Sequence, residues 1–151
     1  MRCCCWKQED AIYKIFIVCC SCNRPYWVRL RLISNFINMS RLNRITIVLA
    51  YWCPHCSPLS IEYVSKFSEN LKTDCRILDI DNHEQEIIAD EIVREYGDWG
   101  EDYTIPQVFL EFNDGKIQHV LTGARGGALN DTKMIWEKLF SSELYMKLIK
   151  Q

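Results

Sequence analysis

Apolar residues follow two rhythms along this chain, and the change from one to the other marks its elements. Residues 44–51 are almost continuously apolar or β-branched (Ile45, Thr46, Ile47, Val48, Leu49, Ala50) and end in a turn signal, which predicts a buried strand. From Leu59 the apolar positions become Ile61, Val64, Phe67 and Leu71, the spacing of one helix face. Pro54 stands where a helix would begin, a position that favours proline. Pro58 lies one turn further in and should kink or loosen that turn.

The alternation of elements continues. Residues 75–81 predict a second strand. Asp81 or Asn82 can cap a helix over 83–96, with Ile87, Ile88, Ile92 and Val93 on its inner face and Gly97 at its end. Residues 98–103 form a polar loop with one tryptophan. Pro106 opens a strand over 107–112, Asn113-Asp114-Gly115 is a hairpin turn, and 116–121 is the return strand. A glycine-rich loop, 123–127, precedes a last helix over about 131–149, capped by Asn130 or Asp131, with Ile135, Leu139, Leu144 and Leu148 inside. The order β-α-β-α-β-β-α predicts an α/β fold around a mixed four-stranded sheet. A helix joins the first two strands, so they should be parallel; the last two form an antiparallel hairpin.

Residues 1–38 show no sustained period. They are a Cys-rich, basic extension to a domain spanning 39–151. Six Lys/Arg against two acids give this extension a balance of +4, whereas residues 39–151 carry -6. Two readings stand: a start codon placed upstream of a chain that begins at Met39, or a short helix over 26–37 docked on the main domain. The acidic main part argues against nucleic-acid binding, which needs a basic face. No stretch reaches the roughly 18–20 apolar residues of a membrane span. A secretory signal is poorly matched, so a cytoplasmic location is expected; a monomer is expected as well. Six of the nine cysteines lie within the first 22 residues, a clustering unlike a secreted disulfide scaffold.

The chemistry concentrates at Trp52-Cys53-Pro54-His55-Cys56, where the strand pattern gives way to the helix pattern. Two cysteines with two residues between them, at a strand-to-helix junction, suit a redox dithiol. The unsatisfied N–H groups and positive dipole end of a helix N-terminus favour thiolate at Cys53. His55 is expected to add a donor, or a positive charge, beside the same sulfur. Cys53 is therefore the candidate nucleophile, and Cys56, one turn on and more buried, the candidate resolving thiol.

Together with Thr104-Ile105-Pro106 before a strand, and with the element order, this stretch resembles the thioredoxin superfamily, most closely its small glutaredoxin-like members, over residues 44–149. The resemblance implies a three-layer fold and a thiol–disulfide oxidoreductase acting on protein or glutathione disulfides. It implies a cis Ile105–Pro106 bond beside the dithiol, with Ile105 backbone pairing to the substrate chain and Trp52 and Thr104 in the substrate site. Gly126 and Gly127, followed by Asn130 and Asp131, resemble a glutathione-binding loop at looser spacing. No metal or organic cofactor is implied; glutathione is a candidate co-substrate, and glutathione or a thioredoxin-reductase-like protein a candidate reductant. Cys-Pro-His-Cys itself looks like the motif of the strongly oxidising branch, whose long helical insertion is missing here. Ile47 stands where thioredoxins carry a buried acid, and Val48 and Leu49 where glutaredoxins carry a basic residue.

Two other classes compete. Cys19 and Cys22 with Cys53 and Cys56 can compose a four-cysteine zinc site in an interaction module. An electron-delivery adaptor using its N-terminal cysteines against one partner is the second. Cys75 is expected to be packed in its strand, His83 and His119 to lie on the surface, and Arg125 to be exposed.

Overall fold

The computed structural model describes residues 40–151 and the backbone of three N-terminal strands, Gln8–Glu9 (β1), Ile12–Val18 (β2) and Pro25–Leu30 (β3). The chain divides into two compact units, Met1–Met39 and Ser40–Gln151. In the first unit, β2 pairs antiparallel with both β1 and β3, with Tyr13 opposite Leu30 and Val18 opposite Pro25. The helix expected over 26–37 is thus replaced in its first half by a strand. Tyr26, Trp27 and Val28 are aromatic or β-branched, and such residues fit a pleated surface. The rest of that span lies outside the described residues, as do Cys19 and Cys22.

The second unit is α/β, with a four-stranded mixed sheet and four helices. Its central strand is Leu42–Leu49 (β4), followed by Asp74–Asp79 (β5), Gln107–Phe112 (β6) and Ile117–Thr122 (β7). The sheet order is β5-β4-β6-β7. β4 pairs parallel with β5 and antiparallel with β6, and β6 pairs antiparallel with β7. The parallel pair needs a crossover, which the helix Ile61–Leu71 (α1) supplies.

Both faces of β4 are covered, which explains its nearly unbroken apolar run. Ile45, Ile47 and Leu49 share one core with Val64 and Phe67 of α1, and with residues of Leu129–Phe140 (α3) and Glu143–Ile149 (α4). Val48, Leu78 and Phe109 form the other core with Ala89, Ile92 and Val93 of His83–Tyr96 (α2). The first core is aromatic: Phe67, Trp136, Phe140 and Tyr145 lie with ring centroids 4.9–6.5 Å apart.

Several local expectations need correction. α2 has the expected span, and the Asn82 side chain accepts the Glu84 and Gln85 N–H groups. Yet Ile87 and Ile88 are exposed. The inward stripe runs through Ala89, Ile92 and Val93, and residues one and two positions before Ala89 point some 100–200° away from it. The last helix is two helices. Ser141 and Ser142 donate their hydroxyls to the Glu137 and Leu139 carbonyls, and Ser142 accepts the Tyr145 N–H to start α4. Serines that serve the backbone in this way end a helix more readily than they continue it. Trp136, absent from the expected inner set, is fully buried. Cys75 is exposed, because β5 is an edge strand whose first residues are uncovered. His119 is half-buried against the Phe109 ring, with Nε2 3.0 Å from the Leu121 carbonyl. His83 and Arg125 are exposed as expected.

Candidate functional site

At the C-terminal end of β4 the chain turns sharply. The Cys53 N–H donates to the Ala50 carbonyl at 3.1 Å, which leaves Tyr51 and Trp52 at the tip. Trp52 is 68% exposed, so its ring faces solvent and not the core. Pro54 adopts helical dihedrals (φ -66, ψ -26). The Cys53 carbonyl then accepts from both Cys56 N–H (3.0 Å) and Ser57 N–H (2.9 Å). This closes one helical turn and places Cys56 a turn beyond Cys53. An irregular helical segment, His55–Ser60, follows and breaks at Ser57 (φ -121, ψ 130) before Pro58, where the sequence predicted a disturbed turn.

Both cysteines are free thiols. Cys53 retains 7% exposure and Cys56 none. Burial drives the Cys56 thiol far above the ordinary thiol range, and a backbone hydrogen bond at Ala50 pulls it partly back. Cys53 pushes it up again, by accepting its hydrogen bond and by opposing a second negative charge. At neutral pH Cys56 therefore holds its proton.

Three further segments converge on this turn. The antiparallel register places Gln107 opposite Val48, so Ile105 and Pro106 fall beside the last residues of β4. Ile105 packs on the core that contains both cysteines, and the Ile105–Pro106 bond is cis, as the resemblance implied. The Gln107 side chain donates to the Thr104 carbonyl at 3.0 Å and tethers the approach to this bond. On the other side of β6, Gly123 N–H donates to the Pro106 carbonyl at 2.8 Å. A Cβ on Gly123 would sit 2.5 Å from Pro106 Cδ and 3.3 Å from the Ile105 oxygen, so only glycine permits this approach.

The third segment is α3, which brings Thr132. His55 Nδ1 lies 2.7 Å from Thr132 Oγ1. The same hydroxyl oxygen accepts the Ala124 N–H at 3.0 Å. The partner of Nδ1 is therefore a neutral hydroxyl. The His55 carbonyl accepts the Ser60 hydroxyl at 2.6 Å, and Ser60 accepts the Trp136 indole N–H at 2.9 Å. Thr132 and Ser60 are wholly buried. Sequence reasoning missed them both. Thr132 carried one usable signal: it stands on the apolar stripe that continues through Trp136 and Leu139, and a polar group there needs a partner.

Gly126 and Gly127 are exposed in the loop before α3. Gly126 has φ +64, and Gly127 packs against the Asp131 carboxylate, which also accepts the Ala128 N–H at 3.1 Å. Asp131 thus closes the loop onto the start of α3.

Among the described residues, no group of three or more His, Cys, Asp or Glu side chains is arranged to hold a metal ion. Among the same residues, no helix is long and apolar enough to cross a membrane. No family model, curated protein or solved structure matches the chain.

Proposed function

We propose that the second unit is a thioredoxin-like, glutaredoxin-related thiol–disulfide oxidoreductase acting on protein or glutathione disulfides. The observation that carries this reading is the asymmetric dithiol: Cys53 slightly exposed at the start of a helical turn, Cys56 sealed one turn behind it with its proton held. An exchange centre needs this inequality, because one thiol must attack first and the other must wait.

The cycle runs as two exchanges. Cys53 thiolate attacks one sulfur of a substrate disulfide. The S–S bond breaks, the other substrate sulfur leaves as a thiolate and takes a proton from solvent, and a mixed disulfide remains on Cys53. Cys56 then loses its proton and attacks the Cys53 sulfur, releasing the second substrate thiol and leaving a Cys53–Cys56 disulfide. Two electrons have passed from the dithiol to the substrate. An external thiol, such as glutathione or a reductase, returns them. The timing follows from the Cys56 environment. Part of what raises its thiol is Cys53 itself, and that part disappears when Cys53 is bonded to substrate. Burial still holds the proton, so resolution is the step that rises with pH.

Trp52, exposed at the tip, and the Ile105 backbone beside the turn are positioned to meet a bound chain. The test is a disulfide-reduction assay with dithiothreitol as reductant. Cys56→Ser should accumulate a mixed disulfide with a peptide disulfide substrate, seen by mass spectrometry, and Cys53→Ser should not. Retained turnover in Cys53→Ser would sink the assignment.

A further inference from the structure

We propose that Thr132 is a positioning residue for the dithiol, acting through His55. The inference rests on the redox reading above and deepens it, because it names what sets the poise of that site. Thr132 is 77 residues from His55, on another element, yet its Oγ1 is 2.7 Å from the imidazole Nδ1. It is completely buried, so no water competes for the contact. Its oxygen is itself fixed by the Ala124 N–H at 3.0 Å.

The chemistry of that hydroxyl limits what it does. With one lone pair taken by Ala124, the hydroxyl can donate its proton to an unprotonated Nδ1. It can equally accept from a protonated Nδ1 through its other lone pair. It therefore serves both states of the ring and fixes orientation, not charge. Nδ1 is always occupied, and Nε2 is the nitrogen left free of this contact. The imidazole lies between Cys53 and Cys56 in sequence, on a backbone whose carbonyl is pinned by Ser60 at 2.6 Å. Ring and backbone are held by separate buried hydroxyls. The imidazole is thus held in one orientation between the two cysteines of the motif, and a proton carried at its free Nε2 favours the reduced, thiolate-bearing form over the disulfide. Losing Thr132 should cost the reduced form that help.

The experiment equilibrates the purified chain in dithiothreitol redox buffers and quantifies the Cys53–Cys56 disulfide by acid quench and alkylation. Thr132→Val removes the hydroxyl and keeps the shape. It should shift the dithiol–disulfide equilibrium constant about three- to tenfold toward the disulfide, the scale of one hydrogen bond. A tenfold shift reads as about 30 mV. Thr132→Ser should restore the wild-type value. His55→Ala should shift the equilibrium in the same direction, and Thr132→Val added to His55→Ala should change nothing further. A shift that persists in the His55→Ala background marks a merely structural threonine and overturns the proposal. So does an unchanged potential in either single variant. If Thr132→Val does not fold by circular dichroism, Thr132→Ala replaces it with the same outcomes. A wild-type chain that forms no interconverting Cys53–Cys56 disulfide overturns the functional reading itself, a failure separate from that of Thr132.

Discussion

The two ends of β4 bury polar groups in opposite ways. At its start, Glu111 is a carboxylate between two guanidinium groups: Arg44 Nη2 reaches one oxygen at 2.6 Å and Arg76 Nη2 the other at 2.7 Å. The Thr46 hydroxyl donates to the same carboxylate. Burial alone would raise the Glu111 carboxyl, but the hydrogen bonds from Arg44 and Thr46 and the charges of Arg76 and Arg44 outweigh it and hold it below the usual range. At the other end, the groups around His55 are neutral: a threonine hydroxyl, a serine hydroxyl, an amide and an indole. Charge answered by charge gives a locked carboxylate that stays ionised. Neutral donors tie the dithiol turn to α3 without placing a fixed charge beside it. The difference separates a region that holds the sheet from the region proposed to do the chemistry.

If that separation is real, substitutions at the two ends should move different observables. The largest effect is on turnover at the dithiol end. Cys53→Ser should reduce disulfide turnover to background while its thermal melt stays close to wild type. In pre-steady-state measurements, release of the mixed disulfide by Cys56 should accelerate as pH rises through neutrality, by about tenfold per unit while the thiol is mostly protonated. A flat profile would mean that proton loss from Cys56 does not limit resolution.

Next in size is Glu111→Gln. Removing one charge from a fully buried pair costs about 3–5 kcal/mol. Arg44 and Arg76 retain 37% and 29% side-chain exposure, so about 2–3 kcal/mol is expected here. Denaturant unfolding should report this loss with turnover unchanged. The sign with pH is fixed by the depressed carboxyl. Its stabilisation is present above the unfolded value of about 4.3 and is lost as pH falls through the lower folded value. Wild type and Glu111→Gln should therefore converge in stability below about pH 4. A gap that stays constant as pH falls from there through the lower folded value would contradict the ionic assignment.

Gly123→Ala sharpens the contrast from the other side. The added methyl meets Pro106 Cδ at 2.5 Å, and relieving such overpacking costs about 1–3 kcal/mol. Because Pro106 borders the dithiol turn, turnover should fall as well, which Glu111→Gln should not reproduce. The smallest effect belongs to Ile87→Ser on the exposed side of α2, within about 0.5 kcal/mol in the same unfolding assay and with no change in turnover.

What the chain disclosed in advance depended on the range of the interaction. β4 could be read because burial on both faces leaves a continuous apolar run. The span of α2 could be read because Asn82 and the apolar spacing are local signals. The turn that carries Cys53 and Cys56 could be read because a helix start is encoded within a few residues. The misses are long-range. Thr132 partners a histidine 77 residues away, and Glu111 an arginine 67 away, and no local period records such a meeting. The break between α3 and α4 was written in Ser141-Ser142, but a continuing apolar stripe masked it. The buried hydroxyl that meets His55 Nδ1 was not legible either, because sequence proximity shows only the adjacent cysteines.

β4 hydrogen-bonds to neighbours on both sides and is sealed by helices above and below. Amides in such a strand exchange with solvent only when the whole unit opens, whereas edge strands and loops exchange through smaller excursions. Cys53 hangs from the end of that strand through the Ala50 carbonyl. Cys53 thus keeps its place through every partial opening of the domain, and local breathing alters the walls around it before it alters the thiol.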